Sequence, residues 1–431
     1  MEESKFIEIL NKELVRSQGC TEPITITYAT ALARKHVDGM VTQVKINASR
    51  NLLKNAMNVT LPGTQSNEIN LSSALMAAAL GIIKPDTEKN LEILSNITKM
   101  DVENAKELIS AGIITLNFSD SELKLYLEVM VKTNLSIARV IIANSHTNVV
   151  LIEVNGNIIK KIPLDKLNLS KKELSADFLD IPGILDFIEK IEISKLDTIK
   201  SSIDINKKIC FEGLEKSYGL CVGRNIKLNK NTGFFSDDIT SQTIAFTAAG
   251  SDARMSGCSL PAMSNSGSGN QGISTTIPVV IVGEKLDLPM ESLIRAVTLS
   301  NLITIYIKSQ IGRLSAMCGA TISATGASCG IVYLLGGHKS EIESTIQIML
   351  ANLTGMICDG AKSGCALKIA TCTYASIQSA LLAVNGVKIN NNEGIIEKNP
   401  EKTIENLCNL VNIGMLTVDN QIMEIMLQKT S

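Results

Sequence analysis

The stretch "MICDGAKSGCALKIATC" places cysteines at 358, 365 and 372, in a chain of 431 residues that carries ten cysteines but only three histidines, His36, His146 and His338. The N-terminus "MEESKFIEIL" has no cationic segment followed by an apolar one, so no export signal is read there and a reducing cytoplasmic setting is expected. Thiols in such a setting bind metal, catalyse or pack, rather than forming a disulfide framework. The scarcity of histidine argues against a histidine-based triad or a histidine-rich metal site. Cys358 and Cys365 flank "DGAKSG", whose two glycines read as a loop between two helices. A thiolate near a helix N-terminus is stabilised, and loop glycines let N–H groups approach sulfur, so this pair suits metal ligation. Cys372 falls on an apolar helix face and reads as packing, as do Cys210, Cys221, Cys258, Cys329 and Cys408. Cys318, in "SAMCGATISATGASCG", sits among small residues after a long helix, where a ligand is easily presented.

Two further stretches could carry chemistry. "MSNSGSGNQG" sets Ser264, Asn265, Ser266, Gly267, Ser268 and Asn270 ahead of an apolar helix. Free N–H groups at such a helix start would hold a small anion such as a carboxylate; the alternative is a solvated loop. Gly267, Gly269 and Gly272 also match G-x-G-x-x-G, with Asp287 beyond, but the preceding "CSLPAMSNS" is no buried strand, and no alternation of strand and helix surrounds it. In "SQGCTEPIT", Cys20 precedes a helix expected to start with Thr21 as cap, Glu22 in the first turn and Pro23 behind it. The thiol is a candidate base or nucleophile, or an idle neighbour of a capping threonine.

The elements that must position these groups follow from periodicity. Phe6, Ile9, Leu10 and Leu14 recur at helical spacing, so residues 1–40 are expected to form two helices that pack on the helical domain. Across residues 41–166, "VTQVKINAS", "LKLYLEVMVK", "LSIARVIIANS" and "VVLIEVNGNIIKKI" read as strands, the last with an Asn-Gly hairpin turn. Helices in "NLSSALMAAALGII" and "DVENAKELISAG" complete a small α+β module. From "NLSKKELSAD" onward, residues 167–431 read as mainly helical. The expected fold class is α+β, with a mainly helical C-terminal catalytic domain.

Composition narrows the partner. Lys plus Arg, 41, nearly balances Asp plus Glu, 43, so no long-range field favours nucleic acid or an anionic membrane. No apolar run reaches the roughly 18 residues that a membrane span needs. The expected partner is a small amino-acid substrate; a homo-oligomer stays open.

Taken together, "GCTEP", "KNAMNVTLPGT", "GSDARMSG", "MSNSGSGNQG", "LSAMCGA", "GIVYLLGGH" and "GMICDGAKSGCALK", in this order over nearly the whole chain, resemble the L-cysteine desulfidase family, iron–sulfur enzymes related to the α domain of bacterial L-serine dehydratases. The resemblance implies a 4Fe-4S cluster on Cys318, Cys358 and Cys365, with Cys20 as catalytic base. It also implies a substrate loop spanning Ser264 to Gly272, with Arg254 and Asp252 as counter-charges. After "LPGT" the sequence runs "QSNEINLSS" where relatives are glycine-rich and apolar, which leaves open whether Asn55, Gly63 and Thr64 reach substrate.

Three protein ligands on a four-iron cluster leave one iron open to substrate, which is a catalytic arrangement rather than one for electron transfer. The implied reaction is β-elimination from L-cysteine to pyruvate, ammonia and sulfide, with a Cys20 thiolate of pKa near about 7 taking the Cα proton. The same architecture could eliminate water from L-serine. Two rivals are a pyridoxal-phosphate lyase using Lys362 or Lys368, and a non-catalytic iron–sulfur or zinc sensor.

Overall fold

The computed structural model describes residues 2–57, 59–64, 73–163 and 176–429. Most of "QSNEINLSS", most of the helix expected in "NLSKKELSAD" and the expected boundary at 166/167 lie outside the described residues. The architecture is α+β, with a mainly helical C-terminal region.

A six-stranded mixed sheet occupies the first part of the chain. Ile114–Phe118 forms one edge and runs parallel to Val41–Ala48, which pairs antiparallel with Tyr126–Thr133. Ile137–Ala143, Val149–Val154 and Asn157–Lys161 continue as an antiparallel meander. The final hairpin turns at Asn155 and Gly156, with φ of 50° and 83°, the left-handed pair that an Asn-Gly turn supplies at low cost. The edge strand Ile114–Phe118 was not anticipated, because alternation is short there and only its first residue is buried.

Two large apolar cores separate the halves. One joins the sheet's inner face, through Val44, Ile46, Val129 and Val140, to the helices Thr21–Lys35 and Ser73–Ile83. The other gathers the C-terminal helices around Met290–Ile311, with Phe6, Ile9 and Leu10 of the first helix, Glu2–Glu13. The two N-terminal helices therefore part company. Where the sequence puts both on the helical domain, only the first packs there, while Ile24, Ile26 and Ala29 face the sheet. Ile422, Met423 and Met426 of the last helix, Leu416–Gln428, also return to the sheet core. Small and β-branched residues on nearly all sides of Thr21–Lys35 explain why periodicity alone did not choose its partner.

The chain crosses between the halves in an extended segment. Arg16–Ser17 pairs antiparallel with Ala262–Met263, and Ser264 and Ser266 donate their N–H groups to the carbonyls of Val15 and Glu13. This ladder lays Cys20 against the helical domain. Among the described residues one helix, Cys365–Val384, is long and apolar enough to cross a membrane, and half of it is buried within the fold.

Candidate active site

Four helices begin around one cavity of about 90 Å³. Cys20 is the N-cap of Thr21–Lys35, Ser268 of Gly269–Lys285 and Cys318 of Gly319–Leu334, while Cys365 is the first residue of Cys365–Val384. The unpaired N–H groups of each first turn add positive potential at the point where the helices meet. Cys358 joins them through a backbone bridge: Cys318 donates its N–H to the Met356 carbonyl at 2.9 Å and Cys358 to the Ala316 carbonyl at 2.7 Å. The sulfur-bearing residues Cys20, Cys318, Cys358 and Cys365 thus line the same space, beside Thr21, Glu22, Asn55, Arg254, Ser268, Asn270 and Gln271.

The electrostatics differ from the expectation at Cys20. Burial, and then the negative charge of Glu22, push its pKa well above that of an ordinary thiol, with Arg254 pulling the other way. Cys20 Sγ donates to Glu22 Oε2 at 3.0 Å, so the group is a thiol, and the helix N-terminus does not outweigh desolvation. Glu22 is itself buried, which would raise its pKa, but His146, Cys20 and Asn55 together hold it well below the carboxylate range. Asn55 donates to Glu22 Oε1 at 3.0 Å, and His146 Nε2 stands 3.6 Å from the same oxygen, beyond hydrogen-bond range. Burial likewise raises Cys318 and Cys365. Nearby, burial pushes the Lys308 ammonium down to about 8, against the opposing influence of Cys358.

Arg254 is the cavity's buried cation. Its Nε has no partner, and it makes no ion pair with any described residue. Gly269 makes room for it, since a Cβ there would stand 2.3 Å from Nε. Asn55 Oδ1, Asn270 Oδ1 and Gln271 Oε1 are also buried without partners around the cavity. A buried guanidinium and three orphaned carbonyl oxygens form a polar lining built for a zwitterionic guest.

The six loop residues expected to bind substrate divide. Ser268 and Asn270 line the cavity. Ser264 and Gly267 line a separate cleft of about 710 Å³ between the halves, along with His146 and Arg313. Asn265 and Ser266 face inward: Asn265 donates to Asn301 Oδ1 at 3.0 Å, and Ser266 donates to Asn265 Oδ1 at 2.8 Å. Thr21 is no cap; its hydroxyl donates to the Gly267 carbonyl at 2.9 Å and ties the two helix starts together. Asp252 points elsewhere, accepting from the Gly223 N–H at 3.0 Å. Asn55 lines the cavity, whereas Gly63 and Thr64 do not. Gln271 and His146 escaped the sequence reading, and neither carries a local signal beyond its side-chain type. Cys372 packs as expected, against Met356.

Lys362 and Lys368 are committed elsewhere. Lys362 donates to the backbone carbonyls of Lys54 and Met57, and Lys368 pairs with Asp359. All ten cysteines are free thiols. Among the described residues no three His, Cys, Asp or Glu side chains close on a point as ligands of a single metal ion would. Cys318 is buried, Cys358 and Cys365 are half-buried, and all three line the one cavity.

Fold and site together define an α+β chain with a thiol-lined cavity at converging helix N-termini. The family profile described as "Serine dehydratase alpha chain" matches residues 88–424, and the chain belongs to that family. The matched span holds Cys318, Cys358 and Cys365; Cys20 lies before it. Full-length relatives include a "UPF0597 protein" of Clostridium perfringens (strain ATCC 13124), 45% identical over 98% of both chains. Another, of Oleidesulfovibrio alaskensis, is 39% identical over 99% of this chain and 98% of its own. A third, of Lachnoclostridium phytofermentans, is 39% identical over 98% of this chain and 99% of its own.

Proposed function

We propose that the protein is an iron–sulfur lyase that eliminates the β-substituent of a small amino acid, with L-cysteine as substrate and pyruvate, ammonia and sulfide as products. The observation that carries this reading is the single cavity shared by Cys20, Cys318, Cys358, Cys365 and the unpaired Arg254. Membership of a serine dehydratase family supports the reaction class. Cys318, Cys358 and Cys365 would hold a 4Fe-4S cluster, which when bound supplies a Lewis-acidic iron beside the leaving group.

The chain's own residues then bind and orient the substrate. Arg254 takes the carboxylate, a bidentate match for a guanidinium, and the carbonyl oxygens of Asn270 and Gln271 accept from the ammonium. Cys20 is the proposed base for the Cα proton, its thiolate favoured by Arg254 against the opposing effects of burial and of the ionised Glu22. The C–H electron pair becomes the Cα=Cβ bond, the Cβ–S bond breaks, and sulfur leaves with its pair as hydrosulfide. The aminoacrylate tautomerises to an imine, and water hydrolyses it to pyruvate and ammonia. Only the leaving group distinguishes L-serine, so a dehydratase is the second reading; a non-catalytic sensor is the third.

The test is pyruvate and sulfide release from L-cysteine by protein reconstituted anaerobically with iron and sulfide, with L-serine in parallel and Cys358→Ser as control. Both products, lost in the variant, are expected. Pyruvate from serine alone would make the enzyme a dehydratase, and iron uptake without turnover of either would favour the sensor.

A further inference from the structure

The loop that carries Cys358 and Cys365 is fastened to the other half of the molecule by two lysines pointing in opposite directions. Lys54, on the helix Arg50–Ala56 beside the sheet, is 1% exposed. Its Nζ donates to the Cys358 carbonyl at 3.0 Å and pairs with Asp419 Oδ1 at 2.5 Å. Lys362, inside the cysteine loop, reaches back to the carbonyls of Lys54, at 3.2 Å, and Met57. Those carbonyls close the helix that carries Lys54, where the last turn leaves acceptors free. Gly360 allows the approach: its φ is 98°, and a Cβ would stand 2.4 Å from the Lys54 carbonyl.

We infer that Lys54 and Lys362 form a reciprocal latch that sets the position of the Cys358–Cys365 loop, making Lys54 a positioning residue for the proposed cluster site. The inference rests on that reading for its function, though not for its geometry. Burying the Lys54 ammonium is costly without a counter-charge. Asp419 supplies one from the last helix, and Asn51 holds the other Asp419 oxygen at 2.8 Å. The last helix packs on the sheet core, so its seating reaches the Cys358 carbonyl through one lysine. A bare packing contact would tolerate any apolar residue at 54, whereas a latch needs the ammonium.

The experiment compares wild type with the Lys54→Met/Asp419→Asn pair, which removes both charges together and spares the fold an unpaired ion. In metal-free protein, alkylation of Cys358 and Cys365 by iodoacetamide, followed by peptide mass spectrometry, should quicken by about tenfold as the loop opens, with Cys372 unchanged. After anaerobic reconstitution, a chelator should strip iron from the variant about tenfold faster. Lys362→Met, which leaves the buried pair intact, repeats the comparison from the other side if the first variant does not fold. Equal alkylation rates in a folded variant would overturn the latch. Absence of iron uptake by wild type would overturn the cluster reading instead, and alkylation would still decide the latch.

Discussion

Cys20 donates its thiol proton to Glu22 across 3.0 Å, one residue either side of the Thr21 that ties their helix to the Gly267 carbonyl. Glu22 stays ionised, and its charge and hydrogen bond hold the proton on Cys20. Glu22→Gln keeps the size and an acceptor oxygen but removes that charge, so the thiolate should form more readily. The pH–rate profile for pyruvate release is expected to shift to lower pH with iron content unchanged. An unshifted profile would mean that Cys20 is not the base.

Arg254 is expected to govern binding more than chemistry. Arg254→Lys keeps the charge but loses the planar fork, and should raise KM by about tenfold while kcat changes less. Gly269→Ala approaches the same group from its neighbour. Alanine favours a helix over glycine, yet here its Cβ would displace the guanidinium. Steady-state kinetics should show the same KM defect in a protein with its charges intact; an unchanged KM would mean that Arg254 does not hold the carboxylate.

Much of the sheet was legible because its strands alternate or run apolar, and the hairpin because Asn155 and Gly156 carry the turn in their own chemistry. Cys20 and Cys365 were legible at helix starts, whereas Cys318 was legible only by its small neighbours after a long helix, although it too caps one. What local pattern could not carry was contact across hundreds of positions. Nothing near Arg254 announces Gly269 as its floor, and nothing near His146 announces Glu22. Nor could sequence weigh burial against a helix dipole at Cys20, because the walls that desolvate it come from distant segments. The substrate loop was read as one surface, whereas a left-handed turn at Ser266 and Gly267 divides its residues among the cavity, the cleft and the interior.

Asp252 offers a test of pH dependence. Burial raises its pKa to about 7, against N–H donation from Gly223 and Val222. The unfolded carboxylate ionises near about 3.9, so between there and about 7 the native state binds the extra proton. Stability from this group is present at low pH and is lost as pH rises through the folded value. Asp252→Asn should remove up to about 1.4 kcal/mol per pH unit from the fall in stability over that window. Denaturant titrations at pH 5 and pH 7 check it; an unchanged difference between the two would sink the assignment.

The wall of the larger cleft contains a pair that tests how the halves are joined. Arg313 donates to Glu13 Oε1 at 3.0 Å, and the Glu13 side chain is fully buried, its other carboxylate oxygen without a partner. Glu13 ends the first helix, and its carbonyl accepts from Ser266, so the pair sits behind the connector that delivers Cys20. Removing only Arg313 strands a buried carboxylate, and Arg313→Met should cost about 3–5 kcal/mol in denaturant unfolding. Adding Glu13→Gln removes the stranded charge and should restore most of that loss, because the penalty lies in the unpaired ion rather than in the missing bond. If the double variant were no more stable than the single one, the pair would be holding the connector by geometry instead, and Cys20 would lose its place along with it.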